Sequence, residues 1–204
     1  CEELFGKMIP GTGGTAVISL RKDGEEWGYE RGNIWVVGDN FASYWLKNKK
    51  IIHGLTKSLA AHESIHAWFG IGVAFKEDWL AEAITQYLEV IITSLIYDEH
   101  DLPEKYFEWY QERILNTLKI EDKAIADFII TENTYVYWYL KGSWAFWDFE
   151  HKFGRSKVLD FLSLIYKKYK NKSINFETFR TEANLYFKEE TIRKSLIILL
   201  HQIL

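Results

Sequence analysis

The chain has little cysteine, little proline and no long uncharged apolar run, and each shortage closes off a class of protein. A single cysteine, Cys1, among 204 residues cannot form a disulfide within the chain, which fits a reducing compartment and makes the cytoplasm the favoured location. Two prolines, Pro10 and Pro103, and no tract rich in glycine and serine leave no room for an internal linker. No stretch reaches the roughly 18 uncharged apolar residues of a membrane-spanning helix, and Ser195 to Leu200 is too short to be one. A net charge of −4 lacks the clustered lysine and arginine that nucleic acid demands. The one basic run, Lys167 to Lys172, reads as a solvated helix C-terminus, where cations suit the helix dipole. What remains, 48% hydrophobic residues with nine Trp, is enough for one buried core and too little chain for two. A single domain over 1–204 is expected.

The most informative string is His62-Glu63-Ser64-Ile65-His66. Positions i and i+4 of an α-helix share a face, so the two imidazoles form a two-point metal grip with Glu63 beside the ion. This is the zinc-metallopeptidase pattern, in which the glutamate serves as general base. Such a string arises by chance in about one or two chains per hundred, so a third ligand is the sharper test. Glu82 supplies one. It sits one turn into a segment, Glu77 to Ile91, whose apolar Leu80, Ile84, Tyr87, Leu88 and Ile91 recur at helical spacing. A carboxylate among Trp79, Leu80, Ala81 and Ile84 is costly unless paired or ligated; its bland reading is a solvated acid near a helix N-terminus.

At these residues the chain resembles the gluzincin aminopeptidases of the aminopeptidase N type. His62 to Gly70, with Trp68-Phe69-Gly70 after the second histidine, is similar to that family's zinc helix. Trp79-Leu80-Ala81-Glu82-Ala83, followed by Tyr87 and Glu89, resembles its Trp-Leu-Asn-Glu-Gly segment with a downstream Tyr-x-Glu. Tyr139-Leu140-Lys141-Gly142 resembles the Tyr-x-Lys-Gly element that opens a later helix and supplies a catalytic tyrosine. Glu3-Leu4-Phe5-Gly6 resembles the end of a helix before the first catalytic strands, and Phe176 to Phe179 the start of a late helix. The resemblance implies one zinc ion on His62, His66 and Glu82, a peptide substrate, and a cleft between a small sheet and a helical lobe. It also implies a fragment of a longer chain with a preceding domain missing.

Two departures bear on function. The connection 67–81 is shorter than the family pattern by about a helical turn. The family's Gly-x-Met-Glu-Asn strand, whose glutamate binds the substrate's free amine, is absent; the nearest string is Gly28-Tyr29-Glu30-Arg31-Gly32. Glu30 is therefore the candidate amine ligand, against a bland reading as a surface acid on an edge strand.

The expected fold is α+β and mainly helical, a thermolysin-like zincin domain that is β-rich over 1–55 and helical over 56–204. Strands are expected at 15–20 and 33–37. Helices are expected near 56–69, 78–98, 103–118, 121–130, 141–152, 155–170, 176–187 and 190–203, with Pro103 in a first turn and a break at Gly154. In the expected chemistry Glu63 takes a proton from the attacking water, and Tyr139 donates to the oxyanion, with Tyr135 and Tyr137 as the neighbouring alternatives. Trp68, Phe69, Trp79, Tyr137 and Trp138 either line the cleft or fill the core. Two other readings are an endopeptidase acting on extended peptides and an inactive peptide-binding scaffold. His53, His100, His151 and His201 have no ligand spacing.

Overall fold

The computed structural model describes residues 1–8, 61–118 and 134–187, together with the backbone of two strands at 28–31 and 34–37. The expected elements at 15–20, 121–130 and 190–203, with His53 and His201, lie outside the described residues. The expected strand at 33–37 is present as β2 (Ile34–Val37), paired antiparallel with β1 (Gly28–Arg31). Glu30 faces Trp35 across this ladder. The amine-binding role expected of its side chain lies outside the described residues.

The rest of the described chain is mostly helical: α1 (Glu2–Phe5), helical turns at 61–65 that we call α2, α3 (Asp78–Tyr97), α4 (Leu102–Leu118), a π-helical segment (Val136–Lys141), α5 (Gly142–Phe153), α6 (Arg155–Tyr169) and α7 (Phe176–Phe187). Pro103 falls in the first turn of α4 and Gly154 breaks α5 from α6, as the sequence predicts. Two short strands interrupt this lobe, β3 (Val73–Phe75) and β4 (Lys172–Ile174), paired in parallel. The expectation of unbroken helix after residue 55 is corrected here. Three-residue strands are too short for their side chains to show the two-residue alternation that marks a strand.

The organising element is α3. The sequence reads as amphipathic, but Trp79 to Ser94 are buried on every side except at Glu82, which is half-buried. Its Ile84, Leu88 and Ile91 are fully enclosed, each worth roughly 1.5–3 kcal/mol relative to exposure. By composition α3 is long and apolar enough to cross a membrane, yet it is the central core helix. Its start is tied to α7, because Glu77 Oε2 accepts the Phe176 backbone N–H at 2.8 Å. Its middle is tied to the α5–α6 break. There Glu150 accepts the Tyr87 hydroxyl at 2.5 Å on one oxygen and Arg155 Nε at 2.8 Å on the other.

α2 ends before the expected residue 69. Past Ile65 the backbone tightens into three-residue turns (Ala67 N–H to Ser64 O, Trp68 N–H to Ile65 O), and Phe69 joins Val73 in a β-bridge. Gly70 permits the turn: its φ of 130° lies where side chains are rarely tolerated, and a Cβ there would stand 3.0 Å from His66 Nδ1. The compact 67–76 stretch, with β3 inside it, bridges the shortened connection. Trp68, Phe69, Trp79 and Tyr137 are buried, so they belong to the core rather than a cleft; Trp138 is half-buried.

Candidate metal centre

His62 comes from α2, His66 from the turn directly after it, and Glu82 from the first turns of α3, so the site joins two helices that the β3 turn folds back on each other. Glu82 Oε2 lies 3.2 Å from His62 Nε2 and 3.5 Å from His66 Nε2. The three candidate ligand atoms all lie within 4.8 Å of one another. Two atoms each about 2.05 Å from a tetrahedral ion stand about 3.3 Å apart, so this donor set fits zinc. Among the described residues it is the one such group of three.

What surrounds the ligands fits the same group. His62 Nδ1 donates to Glu89 Oε2 at 2.9 Å, with both side chains buried, and His66 Nδ1 donates to the Phe69 carbonyl at 3.1 Å. Each imidazole is thereby oriented through Nδ1, which leaves Nε2 aimed at the centre. The Thr85 hydroxyl donates to the same Phe69 carbonyl at 3.4 Å. Glu89, which the sequence places in a Tyr-x-Glu string without a role, is brought to the candidate site by the fold. Its signal was its spacing, since Glu82 and Glu89 lie seven residues apart, two turns along one face of α3.

The Glu82 and Glu89 carboxylates favour the protonated form of His62. Burial lowers the pKa of that imidazole, but its hydrogen bonds to Glu82 and Glu89 outweigh burial and raise it from 6.5 to about 10. Burial pushes the Glu82 carboxyl up, and the two histidines reverse this and hold it well below the usual range. Glu63 is also buried, which raises its carboxyl, while His62 and His66 partly offset the rise. Glu63 thus lies inside the field of the cluster.

Tyr139 is brought to the same place. Its ring stacks on His62 with centroids 5.8 Å apart and planes 21° off parallel, and Tyr135 also stacks on it at 5.2 Å. Burial, then the Glu82 charge and a hydrogen bond to Glu82, push the phenol far above its ordinary value of 10. The Tyr-x-Lys-Gly element does not open a helix as expected. Helix begins at residue 134, and the element spans the junction of the π-helical segment with α5. Of the alternatives, Tyr137 is enclosed in the core, with the Lys141 ammonium 5.5 Å from its ring centre. His100 pairs with Asp98 on the surface, and His151 Nδ1 donates to the Trp147 carbonyl, so neither joins the site.

No protein-family model matches the chain, and no curated protein matches it in sequence. In fold it is similar to solved structures. A two-domain M1 zinc metallopeptidase, a mutant bound to L-tryptophan, superposes with a TM-score of 0.75 at 14% identity, over 100% of this chain and 42% of that one. A mutant M1 zinc metallopeptidase from Deinococcus radiodurans, bound to a Tyr-Ser-Ala substrate, gives 0.74 at 14% identity over 98% and 41%. Native yeast LTA4 hydrolase gives 0.77 at 19% identity over 98% and 33%. The chain thus spans between a third and somewhat over two fifths of the length of these proteins. At such identities the likeness is one of fold: this mainly helical chain is folded as part of the M1 zinc metallopeptidases is folded.

Proposed function

We propose that the chain is a single thermolysin-like catalytic domain, residues 1–204, of a zinc-dependent peptidase of the gluzincin, aminopeptidase N type, acting on a peptide substrate. The observation that carries the reading is the convergence of His62, His66 and Glu82, with Glu82 at 3.2 and 3.5 Å from the two Nε2 atoms, all three donors within 4.8 Å of one another, and Nδ1 of both histidines already engaged. Zinc held there would act as a Lewis acid and lower the pKa of a bound water to about 7.

The remaining chemistry belongs to side chains of this chain. Glu63 takes the proton of the attacking water and passes it to the leaving amine; burial raises its carboxyl toward the working pH, which suits a base that must also become an acid. Tyr139 remains a protonated phenol and donates a hydrogen bond to the developing oxyanion. Glu89 holds His62 in the ligating tautomer. Glu30 is the proposed ligand of the substrate's free amine and with it the source of aminopeptidase rather than endopeptidase action.

The test is metal content by elemental analysis, beside His62→Ala, followed by turnover of free and N-acetylated peptides by the native chain and by Glu63→Gln. About one zinc per chain, absent from His62→Ala, is expected, with turnover of free-amine substrates only and a 10²–10⁴-fold loss in Glu63→Gln. Full activity in Glu63→Gln refutes the mechanism. Turnover of acetylated substrates moves the reading to an endopeptidase, and peptide binding without turnover moves it to a scaffold.

A further inference from the structure

The segment that carries Tyr139 packs directly on α3, and one position lies at the tightest point of that contact. A Cβ built on Gly142 would stand 2.6 Å from the Cβ of Ala83, a separation that real side chains do not adopt, and 3.4 Å from its Cα. Ala83 follows the ligand Glu82 on α3, and Gly142 lies three residues after Tyr139. Consecutive residues of α3 are therefore met by Tyr139, hydrogen-bonded to Glu82, and by Gly142, pressed on Ala83. The helix is in the π form over Val136–Lys141, and π turns interrupt α-helices frequently at functional sites. Ser143, fully buried, donates its hydroxyl to the Leu140 carbonyl at 3.2 Å and closes the turn on its far side.

We propose that Gly142 is a positioning residue: its missing side chain lets the π turn lie against Ala83 and so sets the place of the Tyr139 hydroxyl relative to Glu82 and the metal. Where Tyr139 serves the transition state this rests on the peptidase reading above, whereas the helix contact itself does not. An alanine at 142 must push the turn away from α3 by about 1 Å, a displacement that costs on the order of 10²-fold in rate when it falls on a catalytic group.

The test uses Gly142→Ala, Ala83→Gly/Gly142→Ala, Tyr139→Phe and Gly142→Ala/Tyr139→Phe. Gly142→Ala should lower kcat about 10²-fold with KM within about threefold and with one zinc retained. Removing the Ala83 methyl should restore kcat, because the added Cβ then meets the Ala83 Cα at 3.4 Å and the Tyr137 carbonyl oxygen at 3.8 Å, both ordinary contacts. The loss should also vanish in the Tyr139→Phe background, since residues acting as a unit are not additive. Additive losses, a loss confined to KM or zinc content, or no rescue by Ala83→Gly would overturn the proposal. Cobalt substitution provides a readout that needs no turnover. The visible band of the Co(II) protein should shift alike in Gly142→Ala and Tyr139→Phe and return in Ala83→Gly/Gly142→Ala. A native chain without peptidase activity would sink the peptidase reading alone; an unshifted band in Gly142→Ala would sink this one.

Discussion

Glu89→Gln is the sharpest perturbation of the centre, because it changes a charge and leaves every ligand and nearly all volume in place. Glu89 Oε2 stands 2.9 Å from His62 Nδ1, and both residues are about 5% exposed, so the bond is buried. The carboxylate does two things for a bound cation. It keeps the Nδ1 proton on His62, so that Nε2 carries the lone pair, and it makes that lone pair more basic. A glutamine can still accept from Nδ1 but supplies no charge. Loss of such a partner typically weakens metal binding 10–100-fold, or about 1.4–2.8 kcal/mol at 1.4 kcal/mol per tenfold. The assay is zinc competition against a chromophoric chelator at fixed pH. The expected result is a Kd raised within that range at unchanged stoichiometry. A Kd within about twofold of the native value would refute the assignment of Glu89 as the orienting partner of His62.

Zinc uptake should release protons. The metal-free His62 carries a proton up to about pH 10 because Glu82 and Glu89 outweigh its burial, and a cation must displace that proton. At pH 7 titration calorimetry in two buffers of different ionisation enthalpy should therefore show close to one proton released per zinc, and affinity should fall as pH falls; no proton release would contradict the assignment. Tyr87→Phe removes the hydroxyl that Glu150 accepts at 2.5 Å in the core and leaves that carboxylate with Arg155 alone. A hydrogen bond to a charged group is worth about 1.5–3 kcal/mol, so the urea midpoint should drop correspondingly with no change in zinc content. An unchanged midpoint would show that Arg155 alone satisfies Glu150.

The candidate donors were legible along the chain because they are carried by short-range periodicity. The i, i+4 spacing of His62 and His66 requires only a helical turn, and Glu82 was visible as an acid in a run otherwise apolar on both sides. The long helices were legible for the same reason, with α3, α4, α6 and α7 lying within a residue or two of the expected ranges. The strands β3 and β4 were not, since three residues carry no periodicity and their pairing joins positions a hundred residues apart.

What the sequence determined by itself, then, is the set of donor groups and the helices that present them. What only the tertiary structure decided is their convergence. That His62 and Glu82 stand 3.2 Å apart depends on the turn at Gly70 and on β3 folding α2 back onto α3. That Glu89 is a partner of His62 and not another core acid depends on the roll of α3 against α2. That Tyr139, rather than Tyr137 of the same aromatic run, meets Glu82 depends on a π turn. A π turn changes the angular step between residues from the α value, and no local preference of Val136 to Lys141 records it. The physical reason is common to all three: helix orientation is set by packing at contacts such as Gly142 on Ala83, where single methyl groups decide which residues face one another.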